Sequence, residues 1–290
     1  MTQVIGSLAE IAGRYDALFC DLWGCLHNGH VPYPAAVAAL QVFRRGGGTV
    51  VLVTNAPRPR KYVARQLERM GVPQDCWDVI ATSGDSARLA LFRGVVGSKV
   101  HFIGQPHDLS FFDPLKMIEN PTPITQVPLD RAEGIVCAGP EDPHADPEVY
   151  RPAFLMAKQR GLKLLCANPD IVVDRGETRE WCAGALAQLY TEMGGESLYF
   201  GKPHPPIYDL ARQRLANIRD VDEARILCVG DGILTDVLGG QGEGLDTLFV
   251  TGGLAASEFG SDPENPEPAP LEAFLVDHQL SPAWSIGRLR

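Results

Sequence analysis

Three polar residues, Asp21, Thr54 and Asp231, follow short apolar segments of the sequence, the last of them after one intervening glycine. A carboxylate such as Asp21 can attack phosphorus and form an aspartyl-phosphate, which divides one difficult displacement into two easier ones. Attack by an anion on an anionic phosphate first needs charge neutralisation by a hard cation such as Mg²⁺, which prefers oxygen ligands. Asp231 would supply a second carboxylate for that ion.

The apolar segments before these residues are ALFC (17–20), TVVLV (49–53) and RILCV (225–229). Each is short and apolar at consecutive positions, which is typical of strands buried on both faces of a parallel sheet. Across most of the chain such runs alternate with amphipathic stretches, so we predict an α/β fold with a mainly parallel sheet covered by helices. Ligands of these sheets bind beyond the carboxyl ends of the strands, where the three polar residues would share one cleft.

Residues 54–224 separate the second of these segments from the third, which is far too long for an ordinary crossover connection. We therefore predict an inserted domain. Inside it, residues 99–103, 134–139 and 163–167 have the pattern of strands, so the insertion is itself expected to be α/β. Near the C-terminus, residues 259–270 are rich in proline and indicate a linker, after which we expect a peripheral attachment.

Composition excludes several classes of function. The 290 residues are 45% hydrophobic and 21% charged with a net charge of −10, which is typical of a globular protein and disfavours nucleic acid as a partner. No segment has the roughly 20 consecutive apolar residues that a membrane-spanning helix needs, and the N-terminus lacks the features of a signal peptide. The seven scattered cysteines indicate buried thiols in a reducing compartment. We expect a cytoplasmic protein with no membrane partner.

Four segments, FCDLWGCLHNG (19–29), VLVTNAPRP (51–59), FGKPHPPIY (200–208) and CVGDGILTDVLGG (228–240), occur in the order of the four haloacid dehalogenase motifs. The chain resembles this superfamily, whose motifs are an Asp-x-Asp-Gly opening, a Thr or Ser after the second strand, a lone Lys and a Gly-Asp-x-x-x-x-Asp segment. The TNAPR and GKP variants and the position of the insertion most resemble class IIA, the p-nitrophenyl-phosphatase-like branch with a large α/β cap.

The resemblance implies a doubly wound, Rossmann-like core of residues 1–86 and 184–290 with an α/β cap of residues 87–183. It also implies a magnesium-dependent phosphomonoesterase of small-molecule phosphate esters. The resemblance is also compatible with a homodimer formed through the cap. Closure of such a cap would cover the active site.

The resemblance assigns roles to five catalytic positions and to one backbone group. The catalytic candidates are Asp21, Thr54, Lys202, Asp231 and Asp236. Asp21 would be the nucleophile, and Mg²⁺ would bind Asp21, Asp231 and the backbone carbonyl of Trp23. Lys202 would supply a point charge and Thr54 a hydroxyl donor for the phosphoryl oxygens, while Asp236 would orient Lys202 or a metal-bound water.

A second group of residues consists of candidates for substrate contact, and each of them has an ordinary structural alternative. Asn55 and Arg58 follow the second strand, and Asn168 and Asp170 belong to the Asn-Pro-Asp stretch of the insertion. His204 comes two residues after Lys202. Arg175 follows in the same stretch of the insertion. Turn formation, a surface charge or a helix start would explain these residues equally well.

Trp23 replaces the second aspartate of the first motif, which in the family protonates the leaving group and then activates water. An indole cannot perform this task at neutral pH, and general acid–base assistance is worth about 10²–10⁴ in rate. His27, four residues later, could replace it because a histidine titrates near working pH. An exposed loop histidine explains His27 as well, and Trp23 could also be a specialised part of the site.

Two other functions remain open from the sequence. Loss of the acid at Trp23 could leave a catalytically weak protein that binds a phosphorylated ligand and regulates another process. A dehalogenase-type hydrolase would keep Asp21 but would need no metal, and the Gly-Asp segment at Asp231 favours phosphate chemistry over it. The sequence does not identify the phosphate ester, because cap loops set specificity in this branch.

Overall fold

The computed structural model describes residues 2–114, 118–175 and 178–290. Two parallel sheets and one hairpin contain its strands, which are β1 (Gln3–Val4), β2 (Ala17–Cys20), β3 (Thr49–Thr54), β4 (Val79–Thr82), β5 (Lys99–Ile103), β6 (Thr125–Gln126), β7 (Gly134–Cys137), β8 (Lys163–Cys166), β9 (Val172–Arg175), β10 (Thr178–Trp181), β11 (Glu196–Tyr199), β12 (Ile226–Gly230), β13 (Asp246–Val250) and β14 (Trp284–Ile286). The helices are α1 (Pro34–Arg45), α2 (Arg60–Arg69), α3 (Ser83–Phe92), α4 (Arg151–Gln159), α5 (Ala183–Glu192), α6 (Pro205–Ala216), α7 (Leu238–Gly242) and α8 (Pro268–His278).

The core sheet has the strand order β1-β14-β13-β12-β2-β3-β4, and all of its neighbouring strands are parallel. Every residue of β2, β3 and β12 is buried, which confirms the prediction of strands covered on both faces. These three strands are adjacent, so their carboxyl ends bring Asp21, Thr54 and Asp231 to one edge of the sheet. The predicted α/β fold is therefore confirmed.

The second sheet has the order β11-β8-β7-β5-β6 and is also parallel, while β9 and β10 form an antiparallel hairpin. The strands predicted near residues 99–103, 134–139 and 163–167 are all in this sheet. The second sheet has its own apolar core, in which Phe154 of α4 and Tyr190 of α5 are fully buried.

The predicted core boundary at residue 184 is wrong. Helix α5 packs Leu186 and Tyr190 into the apolar core of the second sheet, and β11 pairs with β8 along residues 196–199. The physical reason is that β8 would otherwise be an exposed edge with unpaired backbone groups. Residues 184–199 therefore belong to the second sheet. The treatment of that sheet as a cap remains a prediction.

The predicted peripheral attachment at the C-terminus is also wrong. After the proline-rich segment, α8 buries Leu271 and Leu275 against Phe249 of the core sheet. Strand β14 then inserts between β13 and β1, and Trp284 donates a hydrogen bond from Nε1 to the hydroxyl of Tyr15 at 2.7 Å. The C-terminal segment is part of the core sheet.

No helix of the described ranges is both long and apolar enough to cross a membrane.

Helix α3 connects the two sheets. Its residues Ala87 and Leu91 pack against buried apolar residues of the second sheet. Its first turn follows directly from β4 of the core sheet. Thr82 caps the helix by accepting the backbone N–H of Asp85 at 2.9 Å, and Asp85 is buried beside Arg214 of α6 at 2.6 Å. Arg88 lies 3.5 Å from the same carboxylate. Asp85 therefore neutralises two buried arginines where the sheets meet.

We expect Asp85→Ala to lower the free energy of unfolding by about 3–5 kcal/mol, because it leaves buried guanidinium groups without their carboxylate. Chemical denaturation followed by circular dichroism measures this change. Glu148→Ala is the matched control, since Glu148 pairs with Arg151 on an exposed surface and its loss should leave the unfolding midpoint in place. Equal midpoints for wild type and Asp85→Ala would contradict the prediction.

Candidate active site

Three buried carboxylates surround one buried lysine at the carboxyl edge of the core sheet. The Nζ atom of Lys202 lies 2.7 Å from Oδ1 of Asp21 and 2.6 Å from Oδ1 of Asp236. Asp231 completes the cluster, and its Oδ2 accepts the backbone N–H of Leu254 at 2.7 Å. Asp21 and Asp231 follow adjacent strands of the core sheet, Asp236 lies in the helical turn after Asp231, and Lys202 follows β11 of the second sheet.

Glycines let the backbone approach Asp231 from two sides. A Cβ atom on Gly24 would lie 1.9 Å from Oδ2 of Asp231, and one on Gly253 would lie 2.1 Å from the same oxygen. Gly24 also has a φ of +71°, a conformation that residues with a side chain rarely adopt. On the helix side, Oδ2 of Asp236 accepts the N–H of Gly232 at 3.1 Å from the first turn after β12. Local backbone geometry thus fixes both carboxylates.

The cluster has more negative than positive charge. Burial raises the pKa of Asp231 well above its usual range, and the nearby carboxylates of Asp21 and Asp236 raise it further. Burial also raises the pKa of Asp236 to about 6, although Lys202 opposes that shift. Burial disfavours the charge of Lys202, but the surrounding carboxylates outweigh it and hold its pKa well above the usual range. A bound cation would offset the remaining negative charge.

The donor atoms near Asp231 fit a hard divalent cation. One carboxylate oxygen each of Asp21 and Asp231 and the thiol of Cys25 lie within 4.8 Å of one another. Burial and the neighbouring carboxylates raise the pKa of Cys25 well above its usual range, and a thiol is a soft donor that suits a hard ion less well than a carboxylate does. The two carboxylates are the hard oxygen donors that Mg²⁺ prefers.

Asn55 connects three parts of the molecule. Its Oδ1 accepts the backbone N–H of Lys202 at 2.7 Å, and its Nδ2 donates to the carbonyl of Lys202 at 3.0 Å. The same Nδ2 donates to Oδ1 of Asp170 at 2.7 Å, which joins the core sheet to the second sheet. Asn168 accepts the N–H of Asp170 at 3.1 Å and holds this turn. Thr54 is buried beside them and accepts the N–H of Ala56.

Comparison with known proteins shows the family of this chain. The sequence model of a protein family described as haloacid dehalogenase-like hydrolase matches residues 18–116. A second family model, described as HAD-hydrolase-like, matches residues 199–272. A crystal structure of a haloacid dehalogenase-like family hydrolase from Brucella suis 1330 is 39% identical, with a TM-score of 0.84 and coverage of 98% of this chain and 99% of that one. This chain belongs to the haloacid dehalogenase-like hydrolase family.

Two curated relatives are named as phosphatases. Phosphoglycolate phosphatase 1A, chloroplastic, of Arabidopsis thaliana is 24% identical over 97% of this chain and 81% of its own length. Ribonucleotide monophosphatase NagD of Escherichia coli K12 is 25% identical over 82% of this chain and 88% of its own length. With these relatives, the hydrolase falls in class IIA of the family, as its motifs predicted.

Trp23 borders two cavities in this hydrolase. One cavity, of about 370 Å³, extends from Asp21 and Thr54 toward Arg58, and the other, of about 290 Å³, contains Asp231. Trp23 lines both of them together with Asp21. The guanidinium of Arg175, from strand β9, lies 5.3 Å from the centre of the indole ring, a distance typical of a cation–π contact. The two cavities therefore adjoin at Trp23 and at the three other residues that line both, Asp21, Asp170 and Val173.

Three predicted site residues, Lys202, His27 and His204, are not among the residues that line these two cavities. His27 is 1% exposed, its ring meets Trp23 edge to face, and its Nδ1 accepts the backbone N–H of Gly29 at 3.0 Å. Burial lowers its pKa to about 4, so it is neutral near pH 7 and supports Trp23 rather than exchanging protons. His204 stacks on Tyr199 with ring centres 4.7 Å apart. A buried, neutral His27 gives no support to the predicted acid–base role, and the predicted substrate contact of His204 remains a prediction.

The sequence analysis missed several residues of the larger cavity. Gln66 of α2, Gln105, His107 and Asp108 line it as well. Asp108 is buried, and its Oδ1 lies 3.4 Å from Nε of Arg58 and 3.3 Å from Nε2 of His107. No sequence motif marks these positions, because they approach Arg58 only through the arrangement of the two sheets.

We expect His27 to make this hydrolase sensitive to acid. Its pKa falls from 6.5 in the unfolded chain to about 4 in the fold, so the unfolded state binds the proton more readily. Stability from neutral His27 is complete above pH 6.5 and is lost as pH falls toward 4, by about 3 kcal/mol. Unfolding of wild type and His27→Asn, compared from pH 7 to 4, measures this loss.

In that comparison Asn keeps an acceptor for the N–H of Gly29 but does not titrate, so the variant should lose less stability in acid. Its turnover at pH 7 should change by much less than the 10²–10⁴ expected for a lost general acid. Parallel stability curves for the two proteins would contradict the predicted titration. A turnover loss of that size would restore His27 as the acid.

Proposed function

We propose that this chain is a magnesium-dependent phosphomonoesterase of small phosphate esters that works through an aspartyl-phosphate on Asp21. The observation that carries the proposal is the buried cluster in which Lys202 bridges Asp21 and Asp236 beside Asp231. The phosphatase relatives support the same class of reaction. Burial of so much negative charge is unfavourable unless a bound group compensates it.

Mg²⁺ would be held by the carboxylates of Asp21 and Asp231 and by the backbone carbonyl of Trp23. When bound, it would neutralise and orient the phosphoryl group. The excess of carboxylates over ammonium groups supports this assignment. Because the third ligand is a backbone carbonyl, the indole at position 23 is compatible with it.

The chain's own residues then carry out two displacements. An oxygen of Asp21 forms a bond to phosphorus while the bond to the leaving-group oxygen breaks, and water later attacks the phosphorus to release Asp21 and inorganic phosphate. Lys202 stabilises charge on the phosphoryl oxygens, and the hydroxyl of Thr54 donates to them. Asp236 keeps Lys202 charged and in position. The second sheet would act as a cap that excludes water.

A proton must reach the leaving group, and Asp170 is the proposed donor in place of the missing aspartate. Asp170 lines both cavities with Asp21 and Trp23, and Asn55 holds one of its oxygens. Burial raises its pKa to about 6, against the effects of Lys202 and Asn55, so it can hold or release a proton near neutral pH. After the first displacement its carboxylate would accept a proton from the attacking water.

We expect Asp231→Asn to lower magnesium affinity by about ten-fold or more, because one anionic oxygen ligand is lost. Isothermal titration calorimetry measures the affinity directly, without any substrate. Asp277→Asn, an exposed change on α8, is the control and should bind magnesium as wild type does. Asp21→Asn should abolish turnover on every phosphate ester. Unchanged affinity in Asp231→Asn would remove the metal assignment.

We expect Asp170→Asn to slow hydrolysis of an alkyl phosphate by about 10² or more, because an alkoxide leaves poorly without a proton. Hydrolysis of p-nitrophenyl phosphate should change far less, since nitrophenolate leaves without protonation. Asn retains the acceptor for Asn55, so the turn should persist. The comparison uses kcat/KM, because the later attack by water is common to both substrates and does not enter kcat/KM. Equal losses of kcat/KM on both substrates would contradict the role of Asp170 as proton donor. The double variant Trp23→Asp/Asp170→Asn should hydrolyse the alkyl phosphate faster than Asp170→Asn does.

A further inference from the structure

The catalytic cavity opens toward a group of basic side chains. Arg58 and His107 line the 370 Å³ cavity, and both also line an adjoining outer cavity of about 580 Å³. That outer cavity is bounded by α2, which contributes Arg65 and Arg69. The two cavities therefore meet at Arg58 and His107.

Helix α2 presents these arginines because of its amphipathic pattern. Val63 and Leu67 are buried against the core sheet, whereas Arg65 and Arg69 are exposed and lie four residues apart, on one face of the helix. Glu68 also borders the outer cavity, which it shares with three arginines and one histidine. The local charge is positive although the whole chain carries −10.

Arg58 is held in place but is not saturated with hydrogen bonds. A Cβ atom on Gly84 would lie 2.3 Å from the carbonyl oxygen of Pro57, so α3 packs closely against the loop that carries Arg58. Nε of Arg58 is buried without a hydrogen bond, and its contact with Asp108 at 3.4 Å is a long ion pair. A preorganised guanidinium with unused donors is suited to an anion.

We propose that the substrate carries a second phosphate on its leaving group, and that Arg58 and the Arg65–Arg69 face of α2 bind it. This inference rests on the proposed phosphatase function. The scissile phosphate would lie at Asp21 while the second would extend through the cavity to the basic mouth. Arginine binds phosphate with paired donors, and three of them border one cavity, which favours phosphate over a single carboxylate.

The experiment compares matched pairs of substrates in the presence of Mg²⁺. One pair is fructose 1,6-bisphosphate and fructose 1-phosphate, and another is adenosine 3′,5′-bisphosphate and adenosine 5′-monophosphate. A third pair, 3-phosphoglycerate and glycerol 3-phosphate, tests a carboxylate as the second anion. We expect kcat/KM to be about ten-fold or more higher for a bisphosphate than for its partner, mainly through KM, because a remote contact contributes equally before and during the reaction.

Arg65→Gln/Arg69→Gln should reduce this preference to within about two-fold and leave hydrolysis of the monophosphates unchanged, because these arginines lie outside the catalytic cavity. Arg58→Gln should also reduce the preference. Arg45→Gln/Arg131→Gln removes the same charge from exposed positions that border neither cavity, and it should keep the preference. This control separates local binding from the net charge of the protein.

The outcomes distinguish this inference from the proposed function. Equal kcat/KM for both members of the bisphosphate pairs would overturn the second-phosphate site while leaving the phosphatase assignment intact. A preference that survives in Arg65→Gln/Arg69→Gln would also overturn it, because the second anion would then bind elsewhere. A preference confined to the carboxylate pair would replace phosphate by carboxylate. No hydrolysis of any ester would reject the phosphatase function itself.

Discussion

The ammonium group of Lys202 is buried at 2.7 Å from Asp21 and 2.6 Å from Asp236, and the rest of the site depends on these two contacts. Removal of three charged groups from water costs several kcal/mol for each ion, so the cluster persists only where the fold supplies compensating geometry. The parallel core sheet supplies the two aspartates, and Asn55 holds the backbone of Lys202 by both its N–H and its carbonyl. The fold thus fixes both the ammonium group and the backbone of Lys202.

The contacts between the two sheets shape the cleft around that cluster. Asn55 donates to Asp170, and Trp23 lies under the guanidinium of Arg175, so two residues next to the catalytic cluster each contact the second sheet or its hairpin. Trp23 occupies the position at which the family motif has an aspartate, and it lines both cavities beside Asp21. The role of Trp23 in the reaction remains a prediction, whereas its contact with Arg175 is part of the structure.

Local charge in this protein differs from its overall charge. The chain is acidic as a whole, and the interior of its site has an excess of carboxylates, yet the mouth of the larger cavity is basic. Fields near a surface are set by the nearest groups, because salt screens more distant exposed charges within roughly 8–10 Å. A phosphate group in the outer cavity would therefore face arginines although the whole chain is acidic.

The sequence by itself determined the parallel α/β class and the strands before Asp21, Thr54 and Asp231, because runs of buried apolar residues are a local signal. It also determined that these three residues lie at one edge, because the carboxyl ends of parallel strands always meet there. The tertiary structure alone decided which sheet receives residues 184–199, and that β14 enters the core sheet, because strand pairing depends on distant partners. It also buried His27 and brought His107 beside Arg58. Such contacts join residues far apart in the chain, and no local pattern encodes them.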